Sequence, residues 1–195
     1  MNTNSIPRIY KAKKVFGNRL VFRNASTSDA DFILSLRTDD QKSRYLSATA
    51  NDLEKQIQWL NDYENVQNQV YFIIESLSGE LLGTVRLYDP QEKSFCWGSW
   101  ILIQGAPQSA AIESALMVYS YALDHLGFLG AHFDVRKGNE HVWHFHERFG
   151  AQRVGESEID YFYEINVEKI RASCSKYKKY LPEKVMVIGV NSNES

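Results

Sequence analysis

The chain has 195 residues, enough to bury the core of one domain, and contains only two cysteines, Cys96 and Cys174. Its 22 lysines and arginines nearly balance its 24 aspartates and glutamates, which excludes a global field that would attract nucleic acid. No apolar run approaches a membrane span, and two separated cysteines indicate reduced thiols rather than a disulfide framework or a zinc site. We therefore expect a cytoplasmic protein with no metal and with neither a nucleic-acid nor a membrane partner.

Apolar periodicity and turn residues define a single series of predicted elements, without an internal repeat or a linker between domains. In chain order the prediction is a strand over 19–24, a helix from Asp29, a helix capped by Asn51 or Asp52, strands over 69–76, 80–88 and 94–103, a helix over 110–126, a strand over 131–136, a helix over 139–149, strands over 152–155 and 159–166, and a helix over 167–179. Residues 1–18 are interpreted as an N-terminal extension, 19–166 as the domain, and 167–195 as a C-terminal helix and tail.

Two local features concern the predicted strands over 80–88 and 94–103. Asp89 and Pro90 are expected to close the strand over 80–88. Gly98 lies inside the strand over 94–103, where a glycine favours a β-bulge or the close approach of another backbone.

The link between the strand over 94–103 and the next helix has the composition of a phosphate-binding turn. Residues 104–111 are mostly small, which lets phosphate oxygens approach the backbone. The helix that follows presents unpaired N–H groups and a partial positive charge, and these can hold a diphosphate without a basic patch. Small residues also precede helices in ordinary turns, so the pattern alone leaves both interpretations open.

A more specific pattern lies in residues 139–155. Asn139 opens a helix after a strand, and the segment His146-Glu147-Arg148-Phe149-Gly150-Ala151 follows, with Gly155 beyond it. This pattern resembles the GNAT superfamily of N-acyltransferases, in which an Asn opens this helix, a Tyr follows, and a run similar to Glu-Lys-Leu-Gly-Phe comes next. The order of the predicted elements over 19–166 also resembles that fold.

The resemblance implies an α/β (α+β) fold with a central, mixed, mostly antiparallel twisted sheet, flanked by helices and splayed between the fourth and fifth predicted strands. It implies acyl-CoA as co-substrate, either acetyl-CoA or a short hydroxyacyl-CoA. The residues expected to contact it are Trp100, Ile101, Ile103, Gln108, Ser109, Ala110, Ala111, Asn139 and Trp143. Against the family's phosphate motif, Ser109 and Ala111 replace glycines, the basic side chain is absent, and Pro107 offers no N–H.

The resemblance also implies a mechanism, in which a neutral amine attacks the thioester carbonyl directly while backbone N–H groups of residues 100–103 polarise it. The family often uses the helix Tyr as the acid for the departing thiolate, and here that position is His146. An ordinary histidine has a pKa of about 6.5, which makes His146 a candidate catalytic acid or base, or simply a neighbour of the cleft.

A protein base is harder to assign from the sequence. Members that use one often have a Glu on the fourth strand, but Cys96 occupies that position. His132 and Asp134 share one face of the following strand, and a structural role is the preferred interpretation of this pair. Water remains as the proton acceptor for an amino sugar.

The loop after the first predicted helix resembles the acceptor side of GNAT branches that modify ribosomal-protein N-termini or nucleotide-linked amino sugars. Its arginines suit a sugar-nucleotide diphosphate, while Asp39 or Asp40 suits a protein N-terminal amine. We favour the first branch, a dTDP- or UDP-linked amino deoxysugar of surface-polysaccharide biosynthesis, because the strands are rich in aromatic residues. The residues expected to bind this substrate are Arg37, Arg44, Tyr45, Tyr88, Trp97 and Asp134.

Other interpretations stay open at this point. A non-catalytic acyl-CoA-binding module would share the degraded phosphate motif and the missing Glu. The lysine clusters at 11–14 and 176–179 are short and give little support to a nucleic-acid or protein-binding domain. A homodimer, the acyl group and the amine acceptor are not decided by the sequence.

Overall fold

In the computed structural model, which describes residues 6–39, 44–45 and 49–190, a single sheet carries helices on both faces. Its strands are β1 (Ala12–Phe16), β2 (Leu20–Asn24), β3 (Val70–Ser76), β4 (Leu81–Gln91), β5 (Ser94–Leu102), β6 (Gly130–Arg136), β7 (Gln152–Glu156), β8 (Asp160–Asn166) and β9 (Met186–Val190). The α-helices are α1 (Ala30–Thr38), α2 (Leu53–Asn65), α3 (Ala110–Ser120), α4 (Glu140–Phe149) and α5 (Val167–Lys176). A 3₁₀ turn at Thr27–Asp29 precedes α1, and a π-helical turn at Tyr121–His125 follows α3.

The strand order is β7-β8-β6-β5-β4-β3-β2-β1-β9, and β5 pairs with β6 in parallel while the other pairs are antiparallel. The parallel pairing covers only Ser94 to Cys96 on β5, opposite Gly130 to His132 on β6. Beyond Cys96 the two strands separate, although β5 continues to Leu102. The mixed, mostly antiparallel sheet with a splay between these strands, which the resemblance implies, is confirmed.

A β-bulge lies on β5 where the splay begins. Arg86 of β4 faces Gly98, but Thr84 faces Ile101, so Ser99 and Trp100 together oppose a single residue of β4. Ser99 has a φ of +46°, in the left-handed region that L residues rarely adopt. The bulge expected at Gly98 therefore lies immediately after it.

Several predicted boundaries are wrong in informative ways. β4 does not close at Asp89 and Pro90 but continues to Gln91, because a second irregularity in register accommodates the proline. The sequence pattern also predicts no strand in 1–18 or after 182, yet β1 and β9 pair with each other there, and β1 pairs with β2. Both are short segments whose apolar alternation is too brief to indicate a strand alone.

The two faces of the sheet bury different cores. On one face α3 is almost wholly buried against apolar residues of the central strands, including Phe22, Phe72 and Phe95. On the other face Tyr71 and Ile73 of β3 pack against α1 and α2. Burying large aliphatic or aromatic side chains contributes roughly 1.5–3 kcal/mol each, so these layers fix the sheet that holds the site. Among the described helices, none is long and apolar enough to cross a membrane.

Candidate active site

The gap that opens between β5 and β6 passes through the sheet and encloses a cavity of about 250 Å³, here called the strand gap. Eight of the residues expected in the site line it: Arg37, Tyr45, Tyr88, Trp97, Trp100, Asp134, Asn139 and His146. They come from the α1–α2 segment, β4, β5, β6 and α4, which are far apart in the sequence. The splay of the two strands is what brings them together.

An aromatic cluster forms the α4 side of the strand gap. Trp97 and Trp100 of β5 have ring centroids 5.3 Å apart, and Trp100 lies 5.1 Å from Phe145 of α4. The ring of His146 lies 5.1 Å from Trp97 and 4.2 Å from Phe133 of β6. This side of the gap is apolar and suits an acyl chain or a thioester more than a charged group.

His146 lies inside this cluster with only 5% of its surface exposed. Burial lowers the pKa of His146 to about 3, so the imidazole is neutral at cellular pH. Its Nδ1 atom is buried and has no hydrogen-bond partner among the described residues. The ordinary histidine pKa that made His146 a candidate acid or base does not apply in the fold, because the aromatic surroundings disfavour the imidazolium. A neutral imidazole retains one N–H donor and one acceptor nitrogen.

Asn139 begins α4 at the edge of the strand gap. Its carbonyl accepts hydrogen bonds from the N–H groups of Val142 and Trp143, at 3.1 and 3.2 Å, which starts the helix. Asn139 is the N-cap residue of α4, but its side chain forms no capping hydrogen bond within the described structure. Next to it, a Cβ on Gly138 would come within 3.0 Å of the ring of Tyr45, so this glycine lets the α1–α2 segment approach α4.

Asp134 provides a carboxylate on the opposite side of the gap. It alternates with the buried Phe133 and Val135 on β6, so its side chain is exposed and points to the other face of the sheet. Among the described residues that line the gap, Asp134 is the only acidic one. The pairing of His132 with Asp134 is not found, since His132 lies 2.8 Å from Ser94 Oγ and 3.4 Å from Asp89 Oδ2.

A second cavity, of about 380 Å³, lies between α2 and the sheet and is here called the arginine cavity. Its lining consists of Arg37, Thr49, Ala50, Asp52, Lys55, Gln56, Trp59, Tyr71, Arg86 and Ser99. Arg37 and Ser99 also line the strand gap, so the two cavities adjoin at the bulge. There the guanidinium of Arg37 donates to Thr49 Oγ1 at 2.7 Å and to Ser99 Oγ at 3.5 Å.

The expected phosphate turn lies where the sequence places it, between β5 and α3. Gly105 takes a φ of +85°, and residues 104, 105, 107 and 108 are exposed, so the turn is open to a ligand. Two of the expected backbone donors are already engaged, however. The N–H of Ile103 donates to Leu82 O at 2.8 Å, and that of Ala110 donates to Pro107 O at 2.8 Å. The side chain of Ala110 is also buried, which leaves Gln108, Ser109 and Ala111 as the accessible part of the predicted set.

Three other expected site residues do not line either cavity. Ile101 is buried and pairs with Thr84 in the sheet, while Arg44 lies over the ring of Tyr45. The indole of Trp143 donates to Lys137 O at 3.1 Å and packs edge-on against Tyr161, on the outer side of α4. Asp40, considered above as a contact for a peptide amine, lies outside the described residues.

The sequence patterns do not identify much of the lining of the arginine cavity, chiefly Arg86, Lys55 and Trp59. A signal for Arg86 exists, because Thr84, Arg86 and Tyr88 alternate with buried apolar residues on a strand. That alternation shows a polar face but not which helix covers it. No group of three or more His, Cys, Asp or Glu among the described residues lies close enough to hold a metal ion.

Comparisons with known proteins extend these observations. The sequence model of the "Acetyltransferase (GNAT) domain" family matches residues 19–152. No curated protein sequence matches the chain significantly. Among solved structures, apo FdhC, described as a nucleotide-linked sugar GNAT, is 37% identical with a TM-score of 0.75, over 89% of this chain and 99% of its own.

More distant solved structures share the fold. A GCN5-related N-acetyltransferase from Brucella melitensis has a TM-score of 0.74 at 18% identity, over 91% of this chain and 90% of its own. A spermidine N-acetyltransferase from Vibrio cholerae, in complex with CoA and spermine, has a TM-score of 0.68 at 19% identity, over 78% of this chain and 98% of its own. At these identities the similarity establishes the fold and leaves the acceptor open.

Proposed function

Because the chain belongs to the GNAT acetyltransferase family and is an acyl-CoA-dependent N-acetyltransferase, we propose that its acceptor is the amino group of a nucleotide-linked amino sugar. The observation that carries this proposal is the meeting of two unlike cavities at Arg37 and Ser99. One carries an aromatic cluster on its α4 side, and the other is rich in cationic side chains. The FdhC relative, at 37% identity, supports the same class of acceptor.

The residues of the strand gap fit acyl-CoA as co-substrate. When bound, it supplies the activated acyl group as a thioester. The aromatic cluster around Trp100 excludes water from that group, and the unpartnered Nδ1 of the neutral His146 is a polar atom suited to a ligand. Asn139, whose side chain makes no capping bond, adds an amide at the same edge. The exposed turn before α3 is the place for the diphosphate of CoA, held by the N–H groups that remain accessible.

Proton removal falls to the opposite side of the strand gap. The carboxylate of Asp134 is placed to bind the acceptor in its ammonium form and to accept a proton from it. Because this side chain is exposed, the proton can pass on to water. The neutral amine nitrogen then bonds to the acyl carbon, the carbon–sulfur bond breaks, CoA leaves as the thiolate, and the nitrogen loses its surplus proton to water. The neutral His146 acts as a hydrogen-bond donor to the sulfur rather than as an imidazolium acid.

The charge of the arginine cavity disfavours a polyamine acceptor. Arg37, Lys55 and Arg86 line it, with Asp52 as the only acidic residue among the described lining. A cationic polyamine would meet repulsion there, whereas a sugar linked to a nucleoside diphosphate would meet attraction.

The proposal is tested by following free thiol release from acetyl-CoA and short hydroxyacyl-CoAs. The acceptors to compare are dTDP- and UDP-linked amino deoxysugars, spermidine, and a peptide with a free N-terminus. We expect turnover with at least one nucleotide-linked sugar and little with the others. Efficient acylation of spermidine or of the peptide, without turnover of any nucleotide-linked sugar, would contradict the proposal.

A further inference from the structure

We infer that the arginine cavity is the subsite for the diphosphate of the acceptor, with Arg86 and Arg37 as the groups that donate to its oxygens. This inference rests on the proposed function and assigns to Arg86 a role that the sequence reasoning does not consider. It makes the cavity between α2 and β4 the anchor for the nucleotide half of the substrate. The sugar half then extends past Arg37 and Ser99 into the strand gap.

The charge of Arg86 supports this assignment. Arg86 is half-buried on β4 and forms no ion pair with any described carboxylate. Burial lowers the pKa of Arg86, and Arg37 lowers it further, so two guanidinium groups are close enough to repel each other. The acidic residue of the cavity, Asp52, lies 3.3 Å from Lys55 at the exposed rim. A buried cation that lacks a counter-charge is costly, and a bound anion would offset that cost.

Neighbouring side chains hold the guanidinium of Arg86 in a fixed orientation. Its Nε donates to Gln69 Oε1 at 2.8 Å, and Nη2 donates to the same oxygen. The rings of Tyr88 and Trp59 lie 4.9 and 5.3 Å from its guanidinium carbon. The neutral amide of Gln69 and the two aromatic rings orient the guanidinium without neutralising its charge. The remaining N–H groups of a guanidinium fixed in this way match the paired oxygens of a phosphate.

Arg86 and the turn before α3 lie toward different faces of the sheet. Tyr71 and Arg86 are cross-strand partners, so Arg86 projects from the sheet face that α1 and α2 cover. The turn before α3, by contrast, leads into the core on the other face. The diphosphate of CoA is therefore bound at the turn before α3 and not at Arg86. The anion that reaches Arg86 is the diphosphate of the acceptor.

Binding of dTDP and UDP, without any sugar or acyl-CoA, tests the subsite directly by calorimetry. We expect Arg86→Gln to weaken binding of the preferred nucleoside diphosphate by about 10- to 100-fold, the loss typical of a hydrogen-bonded charge pair. CoA affinity should stay unchanged in the same variant. Arg148→Gln, at an exposed position on α4 that lines neither cavity, is the matched control and should bind as the wild type does. Equal nucleotide affinity in Arg86→Gln and wild type overturns the inference, as does a loss of CoA affinity instead.

These measurements separate this inference from the proposed function. If no nucleotide-linked sugar is acylated but dTDP or UDP still binds through Arg86, the subsite stands and the acceptor assignment fails. If such a sugar is acylated and Arg86→Gln leaves its KM unchanged, the function stands and the subsite fails. Should Arg86→Gln not fold, Arg86→Lys keeps the charge but loses the fork. We then expect an intermediate loss of nucleotide affinity, and wild-type affinity in Arg86→Lys would count against the inference.

Discussion

The strand gap and the arginine cavity adjoin at the bulge on β5 but provide different environments for their titratable side chains. The strand gap surrounds the neutral imidazole of His146 with Trp97, Trp100 and Phe133. The arginine cavity instead holds two guanidinium groups next to polar side chains and the aromatic residues Trp59 and Tyr71. The first environment suppresses charge, as the depressed pKa of His146 shows, and the second retains charge that the described residues do not neutralise at Arg86.

This difference indicates how one molecule can hold two substrates of unlike polarity. Reactive acyl groups are protected where water is excluded, while a charged acceptor is recognised by fixed cations. Ser99 and Trp100, which form the bulge, turn the strand from one environment to the other. In the proposed function the amine crosses that boundary, and Asp134 is an exposed residue of the strand gap.

The largest effect is expected from Asp134→Asn, which removes the carboxylate from the strand gap without changing its size. Since positioned proton acceptors contribute at least about 100-fold, kcat/KM for the amine should fall by about that factor while the KM for acyl-CoA changes little. Initial rates of thiol release measure both. Asp31→Asn, at an exposed position on α1, is the matched control. A wild-type rate in Asp134→Asn would show that water alone takes the proton.

The second largest effect is expected from Gly83→Ala, which disrupts the pairing of β4 and β5 where the two cavities meet. A Cβ on Gly83 would collide with the carbonyl oxygen of Ile101, next to the bulge, so β4 and β5 must move apart. We expect the free energy of unfolding to fall by about 1–3 kcal/mol, as for other overpacked sites, with a loss of activity. Denaturant titration is the measurement. Gly155→Ala, whose Cβ would lie 3.4 Å from Phe162 in another strand, should change stability less, and equal losses would disprove the packing argument.

His146→Phe should have a smaller effect on rate, because it keeps the aromatic packing and removes only a neutral donor. We expect kcat to fall by about 10-fold, in line with a net hydrogen bond worth roughly 1.4 kcal/mol, while the KM for acyl-CoA changes less. His141→Phe, at an exposed position on the same helix, is the control. An unchanged kcat would remove His146 from the reaction.

The same variant tests the burial of His146 through the pH dependence of stability. The folded protein holds the pKa of His146 at about 3, whereas the unfolded chain has the ordinary 6.5. The unfolded state therefore binds more protons in this window, and this side chain makes the fold less stable as pH falls from 6.5 towards about 3. The free energy of unfolding should thus decline less steeply with acidification in His146→Phe than in the wild type. Parallel slopes would mean that His146 is not held neutral.

Trp143→Phe should have the smallest effect. Trp143 is expected from the sequence to contact the cofactor, but its indole packs on the outer side of α4 against Tyr161. We expect kcat and the KM for acyl-CoA to stay within about 2-fold of wild type, since Trp143 lines neither cavity. Trp100→Phe, made in parallel within the strand gap, should raise that KM more. The reverse order would restore Trp143 to the cofactor site.

Local patterns in the sequence determine much of this molecule. Helical periodicity, strand alternation and N-cap residues indicate α2, α3, α4 and the central strands, since each rests on side chains close together in the chain. The Asn139 helix and the small-residue turn before α3 are predicted to form the cofactor side from local patterns of the same kind. The same patterns do not predict the short β1 and β9. These segments are strands only because they pair with each other and because β1 also pairs with β2.

The chemistry of the site was decided by tertiary structure. The ordinary pKa of a histidine is a property of the residue, but the burial of His146 depends on rings from β5, β6 and α4 that meet only in the fold. In the same way Arg86 and Arg37 are distant in the sequence and become neighbours because α1 and α2 cover β4. Periodicity identifies which face of an element is polar, whereas long-range packing determines what that face meets, and the environment then sets the charge.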